Sequence, residues 1–271
     1  MKHNYTPQSE WGGGAHGFIP LKGKKLTPLQ TDQNNVIMNN KYSKNEVSMR
    51  KKFAFTLAEV LITLGIIGVV AAMTMPVLVE KYQKTETVSR LQKVYNILNN
   101  AMRLAEAEYS EYEYWDDPVV IGIEAYYQKY FKPYYKILKE CNTYQDCGFD
   151  SNFPYKNLDD SQWGEALIWE GRRKAFITSD GMIINIIASG GAPVVKVDRI
   201  TVDINGAAKP NKLGRDVFRF EGVPKKGVLP MFYDAEEDIV KEECSMSGPR
   251  GSSCAAKIMR DGWKIADDYP W

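Results

Sequence analysis

The sequence predicts an α+β chain in which a long N-terminal helix, apolar through its first half, packs on a small antiparallel-sheet head. Three observations predict it. Val60 to Val79 is an apolar run without a charge. From Val88 to Ala105 apolar residues recur at steps of three and four. The second half of the chain holds short alternating runs of β-branched and aromatic residues, separated by Gly, Asp and Asn.

The apolar run is 20 residues long. At roughly 1.5 Å per helical residue it crosses a bilayer core of about 30 Å. Arg50, Lys51 and Lys52 stand directly before it, and Glu59 lies inside the helix near its start. A carboxylate at the edge of such a span is costly and needs a partner. Past the run, Val88, Leu91, Val94, Tyr95, Leu98, Met102 and Ala105 form one helical stripe, with Glu86, Arg90, Lys93, Arg103 and Glu106 on other faces. A helix from Phe55 to Glu108 is about 80 Å long. Its amphipathic half requires a head to cover the stripe.

Tyr109 to Tyr144 is rich in aromatic residues, and a second helix is predicted over Pro118–Leu138, bent or broken at Pro133. These tyrosines suit core packing and lateral contacts better than nucleic-acid stacking. Ala175–Thr178 and Met182–Ile187 flank Ser179-Asp180-Gly181 and read as a hairpin with a D-G turn. Val194–Ile204 and Val217–Phe220 are further strands, completing a sheet on which the helix can bury its stripe.

The segment Phe55-Thr56-Leu57-Ala58-Glu59, behind a basic cluster and ahead of an apolar run, resembles the processing and assembly signal of type IV prepilins and type II secretion pseudopilins. The resemblance implies a pilin-like fold. It implies cutting of the Ala54–Phe55 bond by prepilin peptidase, N-methylation of Phe55 by the same enzyme, and pairing of Glu59 with the N-terminal ammonium of a neighbouring subunit. Opposite charges attract strongly in lipid, and a mismatched register leaves both unpaired, so one such pair can set the stagger of a helical stack. Pro76 falls where this family commonly has a helix-kinking proline, and Gly65 and Gly68 allow close helix approach. Ala54 departs from the family's usual Gly but keeps a small residue. A signal-anchor or a Sec signal peptide shares the basic flank and apolar run. Against both, Glu59 interrupts the run near its start, and no clear A-x-A site follows, the nearest stretch being Ala71-Ala72-Met73.

The implied layout is a leader over 1–54, a membrane and assembly helix over 55–79, its amphipathic continuation over 80–108 and an exported head over 109–271. Residues 1–48, rich in Gly, Asn and Lys without a period, predict disorder, and Met49 would by itself open a leader of ordinary length. The implied location is the inner membrane, crossed once with the head in the periplasm, then a filament in the periplasm or at the surface. The implied partners are other pilin or pseudopilin subunits, the peptidase, an inner-membrane assembly platform with its ATPase, and membrane lipid before assembly.

The 54 leader residues carry nine Lys/Arg and three Asp/Glu, a net of +6, whereas the remaining 217 carry 26 bases and 31 acids, a net of −5. The basic part on the cytoplasmic side matches the positive-inside rule. The acidic exported part gives no support to nucleic acid as a main ligand. Cys141, Cys147, Cys244 and Cys254 all lie in the exported part as two close pairs. On an oxidising side this suggests the local disulfides Cys141–Cys147 and Cys244–Cys254, with metal binding by Cys as the alternative.

Asp203-Ile204-Asn205-Gly206 leads into Pro210-Asn211 and then Gly214-Arg215-Asp216. Acid and amide oxygens at alternate positions before a glycine turn suit calcium, which takes six to eight oxygens, and Asp203, Asn205 and Asp216 are the best ligands. This is no EF-hand, because Gly214 stands where a bidentate acid would belong. The loop is similar to acidic loops of pseudopilin heads, some of which bind calcium. The competing reading is an Asx-turn that ties down a connection between strands. No other cofactor is predicted.

Both histidines, His3 and His16, lie in the leader, which excludes Ser-His-Asp, Cys-His and His-zinc chemistry from the exported part. There is no Walker A motif, and no carboxylate pair is singled out by spacing. The chain reads as a non-enzymatic filament subunit of minor type. The alternative is a membrane-anchored exported binding protein that does not polymerise.

Overall fold

The computed structural model describes residues 55–188 and 199–271. The leader, with Ala54 and the basic cluster, lies outside the described residues, as do Val194, Val195 and Val197 of the third predicted strand.

Helix α1 runs without interruption from Leu57 to Glu108, 52 residues. Thr56 caps its N-terminus, and Tyr109 N–H closes its last turn on the Ala105 carbonyl. Up to Val79 nearly every side chain is exposed, so the apolar half has no covering among the described residues. The helix passes through Pro76, which has no N–H to give to the preceding turn. The second half buries Thr87, Leu91, Val94, Leu98, Ala101, Met102 and Ala105, with Val88 and Tyr95 packed at the margin. Burying a Leu of this stripe is worth about 1.5–3 kcal/mol, which is what fastens the stalk to the head.

The head is one six-stranded antiparallel meander in which each strand pairs with the next: β1 Ile137–Cys141, β2 Arg173–Thr178, β3 Ile183–Ile187, β4 Arg199–Asp203, β5 Val217–Val223 and β6 Gly227–Pro230. One face carries Phe176, Ile184, Ile186, Ile200, Val202, Phe218 and Phe220, in one cluster with the α1 stripe. The other face carries Ala175, Ile183 and Val217 beneath Phe149, Tyr155, Trp163 and Leu167. A central sheet covered on both faces explains why β3 is buried along its whole length.

The single helix expected over Pro118–Leu138 is corrected. The segment forms α2 Pro118–Ile121, α3 Ile123–Tyr130, a 3-10 turn at Lys132–Tyr134, and then β1, which takes Leu138. Gly122 at φ +84° separates α2 from α3, a backbone that a side chain would strain. The α-helix stops at Tyr130, before Pro133, which sits in the first turn of the 3-10 segment, so the chain is broken here and not bent. The tyrosines do serve packing: Trp115 stacks on Tyr130 at 4.4 Å, and Tyr127 meets Phe176 at 5.4 Å.

Both disulfides are closed, Cys141–Cys147 and Cys244–Cys254, with Cα separations of 5.4 and 4.8 Å. The second clips α4 Glu237–Glu243 to α5 Cys254–Arg260, where Ser253 Oγ also donates to the Val240 carbonyl at 2.7 Å.

Candidate functional site

Two places hold the residues singled out by sequence. The first is the start of α1. Thr56 adopts an extended backbone before Leu57, and its Oγ1 accepts from Glu59 N–H at 3.2 Å. In return Glu59 Oε2 accepts from both the N–H and the Oγ1 of Thr56, each at 2.8 Å. This reciprocal box satisfies donors that a helix start otherwise leaves open. It also folds the Glu59 carboxylate back to the residue next to Phe55, which is itself exposed. Both bonds go to Oε2, so among the described residues Oε1 has no partner and is free for a donor from outside the chain. Thr56-Leu57-Ala58-Glu59 has the T-x-x-E spacing of a capping box, a local signal that marks Thr56 as the cap.

The second place is the connection between β4 and β5. Asp203, the last residue of β4, is fully buried, and Asp216, just before β5, nearly so. Asp216 Oδ2 accepts from Asn211 N–H at 2.9 Å and from Asn205 Nδ2 at 3.2 Å, and its Oδ1 accepts from Lys212 N–H at 2.7 Å. Asp203 Oδ1 accepts a long bond from Asn205 N–H, 3.3 Å, and the Gly206 N–H also favours the charge of this carboxyl. The loop therefore brings the three predicted residues together and adds Asn211, which sequence reasoning passed over.

Three buried oxygens there have no hydrogen-bond partner: Asp203 Oδ2, Asn205 Oδ1 and Asn211 Oδ1. Orphaned buried acceptors are uncommon, and each calls for a proton or a cation. Burial pushes the Asp203 carboxyl well above the usual carboxylate range, and the Asp216 charge adds to it. Asp216 is raised as well, mainly by burial, against the hydrogen bonds from Lys212, Asn211 and Asn205 that favour its charge. Hard oxygen donors of this kind fit calcium and suit no softer metal. Among the described residues no group of three or more His, Cys, Asp or Glu is gathered to hold a metal, so a cation here would rest on two acids and two amides.

The loop is held to α1. Arg90 Nη1 donates to the Ile204 carbonyl at 3.1 Å, and a cleft of about 340 Å³ between them is bordered by Thr87, Lys209, Arg215 and Trp271. It is also held to the second disulfide. Gly214 has φ +75°, and a Cβ there would lie 2.8 Å from Cys254 Sγ.

Among the described residues α1 is the one helix long and apolar enough to cross a membrane. A family model described as the prokaryotic N-terminal methylation motif matches residues 49–75, which include the segment Phe55–Glu59. A second model, described as a family of unknown function (DUF6613), matches residues 77–271. Neither the curated proteins nor the solved structures gave a match.

Proposed function

Because the chain belongs to the DUF6613 family and carries a prokaryotic N-terminal methylation motif ahead of that region, we propose that it is a filament subunit, a pilin or pseudopilin of minor type. It is cut by prepilin peptidase between Ala54 and Phe55, methylated at Phe55 and anchored by residues 55–79 with the head on the periplasmic side. It then assembles through α1 with other subunits, driven by an inner-membrane platform and its ATPase. It performs no reaction of its own.

One observation carries this reading. A carboxylate with one oxygen, Glu59 Oε1, unbonded among the described residues stands beside Phe55 at the head of an apolar helix that none of the described residues of the head covers. In lipid that oxygen needs a cationic donor, and the amine freed at Phe55 of an adjacent subunit has the right charge and depth. Pro76 and the uncovered Gly65 and Gly68 would let the helix bend and neighbours approach. A head of some 160 residues, closed by two disulfides, suits a subunit placed in few copies rather than repeated along the whole fibre.

The test is Glu59→Ala in cells. Membrane insertion should persist while recovery of the chain in sheared filament or pseudopilus fractions collapses. Undiminished incorporation would leave only an anchored, non-polymerising protein.

The orphaned oxygens favour a second element of this reading, a calcium ion held by Asp203, Asn205, Asn211 and Asp216. It would neutralise two buried carboxylates and lock the β4–β5 loop against α1.

A further inference from the structure

The exported part is acidic as a whole, yet its membrane-proximal end presents exposed cations beside α1. The uncharged run of α1 ends at Val79, and Lys81 and Lys84 follow at about 3 and 7.5 Å further along the axis. The headgroup layer on each side of a bilayer core is about 5–7 Å deep, so both ammonium groups fall at the level of lipid phosphates.

A groove of about 580 Å³ opens at this level and runs up α1 from Val77 to Ser89, about 18 Å. One wall is α1, with Val77, Lys81, Lys84 and Val88, and the other is the segment Trp263–Ile265 that follows α5. Lys84 is committed to Glu80 at 2.6 Å. Lys81 and Lys264 are exposed and form no ion pair among the described residues. The acids at the rim are Glu80, already bridged, and Asp267.

The floor is apolar. Trp263 is partly buried against Tyr95 at 5.5 Å, and Ile265 packs beside it. On the other flank of α1, Trp271 lies under Arg215 at 4.3 Å and near Lys84 at 5.8 Å. Trp271, beside Lys84, stands at the depth where a tryptophan with one polar edge settles, and lysines near an anionic surface add attraction. Apolar walls and unpaired ammonium groups share one groove whose lower end, at Val77 to Lys84, continues the membrane span.

We propose that this groove binds the headgroup phosphate of an anionic phospholipid, with Lys81 and Lys264 as the phosphate donors and the segment Trp263–Ile265 as the wall above the lipid. The head is thereby seated on the outer surface of the inner membrane, and the lipid is released when the subunit is drawn into a fibre. The inference rests on the reading of α1 as a membrane anchor, and not on polymerisation.

The test uses the full chain in nanodiscs of phosphatidylcholine alone or with a phosphatidylglycerol fraction, one chain per disc, read by hydrogen exchange of the segment 263–267. Exchange should slow at least about threefold with phosphatidylglycerol. The slowing should vanish in Lys81→Gln/Lys264→Gln and persist in Lys81→Arg/Lys264→Arg, both with an unchanged thermal midpoint. Equal exchange in the two lipids, in a chain that co-migrates with the discs, overturns the proposal and leaves the anchor standing. Failure to co-migrate overturns the anchor and the proposal together. Protection that needs two chains in one disc, whatever the lipid, assigns the groove to a second copy and overturns it as well.

Discussion

Asn99 in the stalk helix exchanges two hydrogen bonds with the backbone of Val228 in β6. Its Nδ2 donates to the Val228 carbonyl at 2.9 Å, and its Oδ1 accepts from the Val228 N–H at 3.0 Å. One amide side chain thus does for the edge strand what a seventh strand would do, and the open edge of the sheet is closed by the stalk itself. Stalk and head are joined by a polar clamp as well as by the apolar stripe.

Asn99→Ala should therefore cost more than a surface substitution. Val228 is buried, so its N–H and C=O would be left without partners, at about 1–3 kcal/mol each. Denaturant unfolding of the full chain in detergent is expected to show a loss of at least about 2 kcal/mol. A change within about 0.5 kcal/mol would mean that water reaches the edge and that the clamp is incidental.

Glu165 is the shared counter-ion of three arginines, bonded to Arg173 at 2.8 Å, Arg199 at 3.2 Å and Arg219 at 3.3 Å. Arg219 is almost fully buried, and burial pulls its guanidinium down to about 10. Removing the carboxylate leaves buried positive charge, so Glu165→Gln should destabilise by about 3–5 kcal/mol. Arg199→Gln should cost about 1 kcal/mol or less, since its side chain is 39% exposed. Equal losses in the two variants would contradict the central role given to Glu165.

Asp203 gives the calcium reading its sharpest test. Its folded pKa is raised, so the stability it contributes is present at acid pH and is lost as pH climbs from the ordinary Asp range towards the raised value. Without calcium, Asp203→Asn should match or exceed the parent's thermal midpoint at neutral pH. With calcium at about a hundred times its Kd, the parent should gain about 2.7 kcal/mol and the variant little. A variant that responds to calcium as the parent does would refute the site.

Asp146 behaves in the opposite sense. Lys139 lies 3.1 Å away, and the N–H groups of Asn142 and Thr143 and the Thr143 hydroxyl donate to its Oδ2. The Lys139 ammonium and these donors pull the carboxyl down to about 2. Its contribution is present above the unfolded value of about 3.9 and disappears as pH falls through about 2. The thermal midpoint of Asp146→Asn should lie below the parent's at pH 6, with the gap closing on acidification to pH 2. A gap independent of pH would assign the loss to shape rather than charge.

Strong local patterns were readable in the sequence. The α1 stripe and the β2–β3 hairpin have them, the first a helical period and the second an Asp180-Gly181 turn between apolar runs. Strand β1 was hidden because its middle, Leu138 and Lys139, faces solvent at the sheet edge and the tyrosines before it mimic a helical period. Strand β6 was hidden because four residues starting with Gly and ending with Pro carry no pattern, and their pairing comes from Asn99 and β5. In the candidate site, acids and amides before a glycine singled out Asp203, Asn205 and Asp216. Asn211 joins them only because its backbone turns to φ +55° between Pro210 and Lys212, which no local spacing encodes.

The claim on which the rest depends is that α1 is freed at its N-terminus so that Glu59 can meet a neighbour's amine. Intact-mass and N-terminal peptide mass spectrometry of the chain recovered from cells tests it most directly. The expected result is a species that begins at Phe55 and carries one added methyl group on its amine. A chain recovered wholly with residues upstream of Phe55 still attached would contradict the account.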